Sequence, residues 1–218
     1  MHATLLLCLL STLLTHAQDR LNRLWSEGKL VLEDSAAMEG LIHYEIKTRL
    51  IGFKIHAQDT PSTFHEKRIA SMSFQDARRG ILRTFQPIHV REEDSGFKGR
   101  VLFEVLVEAK DFLIVSRRYP LKSGSIAPLK GAEEDQDHYE NMYVIKGDGA
   151  IVLLATFTPG EHRVYPGKVA PFFNDALLIQ TLGGHWKRVK AYAKDQKLRL
   201  KSRAGLLQVL HYYQELEK

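Results

Sequence analysis

Cysteine is almost missing from this 218-residue chain: the single copy, Cys8, lies in an apolar stretch at the very start. From residue 9 onward there is no thiol, which excludes disulfides, thiol nucleophiles and cysteine-ligated zinc from the rest of the chain. Long apolar runs are missing too. None reaches the roughly 20 residues that a membrane-crossing helix needs. No Gly-x-Ser-x-Gly elbow, no Gly-x-x-x-x-Gly-Lys-Ser/Thr phosphate loop and no His-Glu-x-x-His pair occurs. Acidic excess is absent as well, since 31 Lys and Arg stand against 26 Asp and Glu, for a net charge of +5. What remains is ordinary globular material, 44% hydrophobic and 26% charged, and not a disordered composition.

The first stretch carries the clearest message. Leu5 to Leu14 is apolar but for Ser11 and Thr12, about half the length of a bilayer span. Thr15-His16-Ala17 then places small residues one and three positions before a cut after Ala17. This predicts a signal peptide over residues 1–17 and an exported protein that is periplasmic, outer-membrane-associated or secreted. The segment ahead of the apolar run holds only the amino terminus and His2 as positive groups, so a buried N-terminal helix is the competing reading. Cleavage leaves residues 18–218, read as a single α+β domain held by its core alone. Export makes nucleic acid an unexpected partner despite a pI near 9.2. Anionic lipid, lipopolysaccharide or acidic polysaccharide suit that charge, and a basic pI is also common without any such role.

From residue 29 the period is two. Lys29–Leu32 and Gly40–Ile46 read as strands around a loop from Glu33 to Glu39, with Ile42, Tyr44 and Ile46 sharing a face. Ile51, Phe53 and Ile55 alternate with polar residues, as do Ala70, Met72 and Phe74. Arg83–Ile88 is expected at a sheet edge, because Pro87 cannot donate to a ladder. A hairpin follows, Val101–Glu108 and Phe112–Ser116 around Ala109-Lys110-Asp111, with Val101, Phe103, Val105 and Val107 on one face. Residues 118–140 read as a long loop. A second hairpin joins Asn141–Lys146 to Ala150–Phe157 through Gly147-Asp148-Gly149. After Pro159-Gly160 the period becomes 3.6. Phe172–Leu182 reads as a helix ended by Gly183-Gly184. Trp186, Val189, Tyr192 and Ala193 share a face of a second. Leu206, Val209, Leu210, Tyr213 and Leu216 form a stripe on a third, with Ser202 as N-cap. Strands first and helices last predict an α+β fold: an antiparallel sheet or partly open barrel over residues 29–157, then a helical tail over 168–218.

Three stretches carry a family resemblance. They are Trp25–Leu32 leading into Gly40–Ile46, Phe103–Lys110 followed by Leu113–Arg118, and the tail through Val189–Lys194, Leu198–Leu200 and Leu206–Tyr213. Together they resemble a broad group of uncharacterised exported proteins of Bacteroidota-type bacteria. Members tend to carry an opening Gly-x-Ile-x-Tyr strand, a Phe-Glu-x-Leu-x-x-Gly hairpin and two short helices closing on Tyr-Tyr. The chain departs from that pattern at Ala109, where the group has a turn glycine. The resemblance implies an envelope or secreted location. It implies no activity and no functional residues.

Tests for chemistry return little. Of the ten histidines, two precede the expected cut and none of the rest has two-ligand helix spacing. His138 with Glu140, and Glu161 with His162, need further ligands from elsewhere to hold a metal, and solvated loop histidines explain them more simply. Glu133, Asp135 and Asp137 alternate as calcium ligands can, without the glycine and terminal Glu of an EF-hand. Glu104 and Glu108 lie two pleats apart on one expected strand face, conceivable as a glycosidase pair and more simply wet-side charges. No catalytic, cofactor or metal residue is therefore assigned. The one surface feature is basic: Lys187, Arg188, Lys190, Lys194, Lys197, Arg199, Lys201 and Arg203 stand against a single acid, Asp195. These eight are candidates for contact with an anionic surface. The alternative is a solvated helix face whose other side, Trp186, Val189 and Tyr192, packs on the sheet.

The sequence thus points to a non-enzymatic exported envelope protein that binds a protein partner or an anionic glycolipid, without a membrane span and with peripheral membrane contact open. A hydrolase of envelope polymers and a periplasmic lipid-binding half-barrel are the alternatives.

Overall fold

A computed structural model of the chain describes residues 25–34, 36–76, 80–91, 98–120, 138–158 and 170–217. The expected signal peptide, Cys8, the acidic residues 133–137 and the Glu161–His162 pair lie outside them. The fold is α+β. Strands account for 52% and helices for 25%, the sheet is antiparallel and not closed, and the helices come last. Among the described residues there are eleven strands. The chain divides into two compact units, residues 1–87 and 88–218.

The first unit contains β1 (Ser26–Leu32), β2 (Ala37–Glu45), β3 (Leu50–Lys54), β4 (Ser62–His65), a 3-10 turn (Glu66–Arg68), β5 (Ile69–Asp76) and the start of β6 (Ile81–Arg91). Its strand order is β6-β5-β1-β2-β3-β4. Alternation puts Leu30, Ile42, Ile51, Phe53, Met72, Phe74 and Phe85 on one buried face. The Tyr44 and Phe85 rings meet edge to face at 5.7 Å although β2 and β6 stand three places apart in the order. The sheet therefore curls, and its concave face is filled by its own side chains. Close approach at the curl requires glycine. Gly28 pairs with Gly40, and a Cβ on Gly28 would lie 2.2 Å from the Ser73 carbonyl oxygen. Pro87 had suggested an edge strand. The ladder from β6 to β5 runs over Ile81–Phe85 and stops before Pro87, so that ladder never calls on the missing N–H.

The second unit contains the rest of β6, then β7 (Lys98–Glu108), β8 (Phe112–Pro120), β9 (His138–Lys146), β10 (Ile151–Phe157), β11 (Phe172–Phe173), and helices α1 (Asp175–Leu182), α2 (Trp186–Asp195) and α3 (Arg203–Leu216). The strand order is β11-β10-β9-β8-β7. Both expected hairpins are present. Gly149, at φ +82°, turns the second, and its N–H donates to the Lys146 carbonyl at 2.8 Å.

Three local expectations change. A bulge in β7 sets Val105 opposite Val115 but Val107 opposite Ile114. Val107 thus leaves the face of Val101 and Phe103 and joins the helix-facing core. Phe172-Phe173 is a short strand on Ala155 and Thr156, not helix, because the Asn174 side chain accepts from the Leu177 N–H at 3.0 Å and starts α1 only at Asp175. The expected loop 118–140 is shorter at both ends, since β8 continues to Pro120 and β9 begins at His138. The helices cover one sheet face. Val107, Ile114, Met142, Val144 and Leu154 meet Leu178 and Leu182 of α1, Val189 and Ala193 of α2, and Leu206, Val209, Leu210 and Tyr213 of α3. The helical stripes read from the sequence are the ones that pack.

Candidate functional site

The eight basic candidates divide into two groups. In α2, Val189 and Ala193 are buried and Trp186 and Tyr192 pack against the same core. That fixes the rotation of the helix and turns Lys187, Arg188, Lys190 and Lys194 outward, all exposed. Lys187, Lys190 and Lys194 follow each other at i, i+3 and i+7, so they form one stripe about 10 Å long. Lys197, also exposed, follows two residues past the helix end. None of these five makes an ion pair with any described residue.

The second group is engaged. Lys201 Nζ lies 3.1 Å from Asp175 at the start of α1. Arg199 gives its carbonyl oxygen to the Ser202 hydroxyl at 2.8 Å, in the turn that enters α3. Arg203 reaches down to the sheet, where its Nη2 donates to Glu140 Oε1 at 3.2 Å and its Nε donates to Glu140 Oε2. Arg118 Nε stands 3.8 Å from the same carboxylate. Glu140 is 5% exposed. Arg203 is therefore an anchor of α3 and not a surface contact.

The unpaired group sits against local preference in three ways. Lys187 and Arg188 occupy the first turn of α2, which holds no acid, so they oppose the helix dipole. Lysines at i, i+3 and i+4 repel one another. Lys197 has φ +52°, the left-handed cap position where glycine is the easy choice, and the Leu198 N–H donates to the Ala193 carbonyl at 2.8 Å across it. The dipole conflict disfavours the fold by about 0.3–1 kcal/mol, each like-charge pair by about 0.2–0.5 and the left-handed lysine by about 1–2.

The carboxylates behave differently from the sequence reading. His138 and Glu140 are strand residues and buried, not solvated loop groups. Glu104 and Glu108 do not share a face. Glu104 pairs with Ser116 and Glu108 with Leu113, and the bulge between them turns Glu104 into the helix-covered side while Glu108 stays exposed. The structure instead gathers Glu104, Ser116, Arg118 and Glu140 on one face of β7, β8 and β9, with Arg203 above. The sequence did contain a signal for this. His138, Glu140, Met142 and Val144 alternate in step, so a strand read two residues further back would have placed Glu140 on the core face.

The first unit holds a second buried acid. Glu66 Oε2 accepts from the Tyr44 hydroxyl at 3.0 Å and faces Arg49 Nη1 at 3.5 Å, while its N–H donates to the Arg49 carbonyl at 3.0 Å. Burial raises the Glu66 pKa, against the opposing pull of Arg49 and the Tyr44 bond. Burial, with the Glu66 charge, also raises that of Tyr44. On the outer face of the unit, Glu27, Lys29, Glu39, His56 and Gln75 line an open depression of about 750 Å³. Both of its carboxylates are exposed, and Glu39 pairs with Lys29 at 3.5 Å, so it offers no dry acid–base pair. Among the described residues no group of three or more His, Cys, Asp or Glu is placed to hold a metal, and no helix is long and apolar enough to cross a membrane. Neither the family models, the curated proteins nor the solved structures contain a match to this chain.

Proposed function

We propose that this is an exported, non-enzymatic envelope protein that binds an anionic surface ligand through α2 and the turn after it. The observation that carries the reading is the set of five exposed cations, Lys187, Arg188, Lys190, Lys194 and Lys197, held without ion pairs to any described residue, with Lys187, Arg188 and Lys197 placed against local preference. Conflicts between local chemistry and fold concentrate at functional sites, where a ligand offsets what the fold alone disfavours. Export rests on the apolar leader with its Ala17 cut and on the resemblance to exported Bacteroidota-type proteins.

The alternatives have less support. A hydrolase needs a carboxylate ready to move a proton, and Glu140 is already committed to Arg203 and Arg118. A lipid carrier needs an apolar interior, and among the described residues the sheet face under the helices is filled by the chain's own side chains. The test is co-sedimentation with anionic vesicles, and retention on an immobilised acidic polysaccharide, at about 0.01 M salt, where the screening length is ~30 Å. Binding to either, lost at about 0.15 M salt or on neutralising Lys187, Lys190 and Lys194, supports the reading. Binding to neither at low salt removes it.

A further inference from the structure

The shape of the basic site says more than its charge. We infer that its ligand is an extended acidic polysaccharide, carrying about one carboxylate per sugar and lying lengthwise along α2 from Lys187 to Lys197. This rests on the anionic-ligand reading above and narrows it.

Three observations favour a linear chain over a bilayer. A helix that docks on lipid sinks its apolar face into the acyl boundary. The apolar face of α2 is already used: Val189 and Ala193 are buried in the core, and Trp186 and Tyr192 pack on it. What α2 turns outward is Lys187, Arg188, Lys190, Ala191, Lys194 and Asp195, with no large apolar side chain to insert. The cations also form a line and not a disc. Lys187, Lys190 and Lys194 rise along one edge by about 4.5 and 6 Å per step. Lys197 adds a further exposed cation two residues beyond the helix end, in a backbone conformation that glycine would adopt more easily. A lysine kept at such a position adds charge at the expense of local stability.

The residue type narrows the chemistry. Arginine forks read phosphate in two-point fashion, whereas lysine is a compact charge indifferent to the geometry of the anion. Along the i, i+3, i+7 stripe every cation is lysine, with Arg188 set about 100° round the helix from Lys187, and such a stripe suits carboxylates repeated along a flexible polymer, where charge spacing matters more than orientation.

The test uses the chain from Gln18 to Lys218 with uronate oligomers of defined length, from one to eight sugars. Inorganic polyphosphate and anionic phospholipid vesicles are the comparison arms. Affinity for the uronates is expected to rise with length until the oligomer spans the stripe, then level off. Replacing any one of Lys187, Lys190 or Lys194 with Gln should weaken the long oligomer roughly threefold to tenfold. Lys197→Gly is the decisive variant, because it should weaken oligomer binding by a similar factor while leaving the unfolding midpoint equal or higher. Single sugars competing as well as octamers would overturn the inference, as would tighter binding to vesicles or to polyphosphate than to the uronate octamer. So would Lys197→Gly binding as the parent does. In those cases anionic binding by α2 still stands. Loss of binding in every arm would remove both readings together.

Discussion

Replacing Arg203 with Met should destabilise the second unit far more than any change at the exposed lysines sixteen or fewer residues away. Arg203 meets Glu140 through two nitrogens, and the Glu140 side chain is only 7% exposed. Removing one partner of a buried ion pair leaves an uncompensated buried charge, which typically disfavours the fold by about 3–5 kcal/mol. Two features soften that figure here. Arg118 remains 3.8 Å from the carboxylate, and the Arg203 side chain is itself 28% exposed. About 2–3 kcal/mol is the working value, against less than about 0.5 for an exposed lysine. For a chain of this size that is a fall of roughly 5–10 °C in midpoint. The assay is thermal and urea unfolding in a Trp25→Phe background, so that Trp186 reports on the second unit. Adding Glu140→Gln completes a double-mutant cycle, and the two changes should couple by at least about 1 kcal/mol. A midpoint shift for Arg203→Met no larger than that of Lys190→Met, or strict additivity in the cycle, would refute the anchor.

Neutralising Lys187, Lys190 and Lys194 together with Gln should leave the midpoint nearly unchanged, because relief of the like-charge contacts and of the Lys187 dipole conflict offsets the loss of the favourable Lys194 charge in the last turn, while binding to anionic material disappears. A fall of several degrees would mean that the lysines support the fold. Glu66 predicts an unusual pH dependence. Its pKa is raised in the folded chain by burial, so the folded state holds the proton more tightly than the unfolded one. Its contribution is fully present below the unfolded carboxylate value and is lost as pH rises through the folded one. Stability of Glu66→Gln relative to the parent should therefore improve from acidic to neutral pH, and a constant or declining difference in urea titrations would contradict the burial argument. Gly205→Ala gains about 1 kcal/mol of helix propensity in α3. Its Cβ, however, would lie 2.2 Å from the Arg199 carbonyl oxygen, and overpacking of that kind disfavours the fold by about 1–3 kcal/mol. Net destabilisation in a thermal melt is expected, and a raised midpoint would refute the contact.

Much of this fold was legible in the chain because period is a local signal. The strands Val101–Glu108 and Phe112–Ser116, the helix stripe Leu206–Val209–Leu210–Tyr213 and the cap at Ser202 all follow from spacing, whereas the continuation of β8 to Pro120 did not. What escaped depends on contacts far along the chain. The bulge after Val105 flips one strand end, so simple alternation put Val107 and Glu108 on the wrong faces. Glu140 and Arg203 are separated by 63 residues, and no local pattern says that they meet. The same pairing removes Arg203 from the basic surface that the charge count alone had assigned to it. The five remaining cations were visible as a run in the sequence. That three of them line one edge of α2 followed only once Val189 and Ala193 had fixed its rotation.

The central claim is that the α2 cations bind an acidic polysaccharide while Arg203 serves the fold. Its most direct test is a titration of the chain with a long uronate polymer, followed by Trp186 fluorescence or calorimetry, at about 0.01 M and 0.15 M salt. The account predicts saturable binding at low salt, weaker binding at high salt, and none in the Lys187→Gln, Lys190→Gln, Lys194→Gln variant at an unchanged unfolding midpoint. Binding by that variant equal to the parent's, or no binding by the parent at low salt, would contradict it.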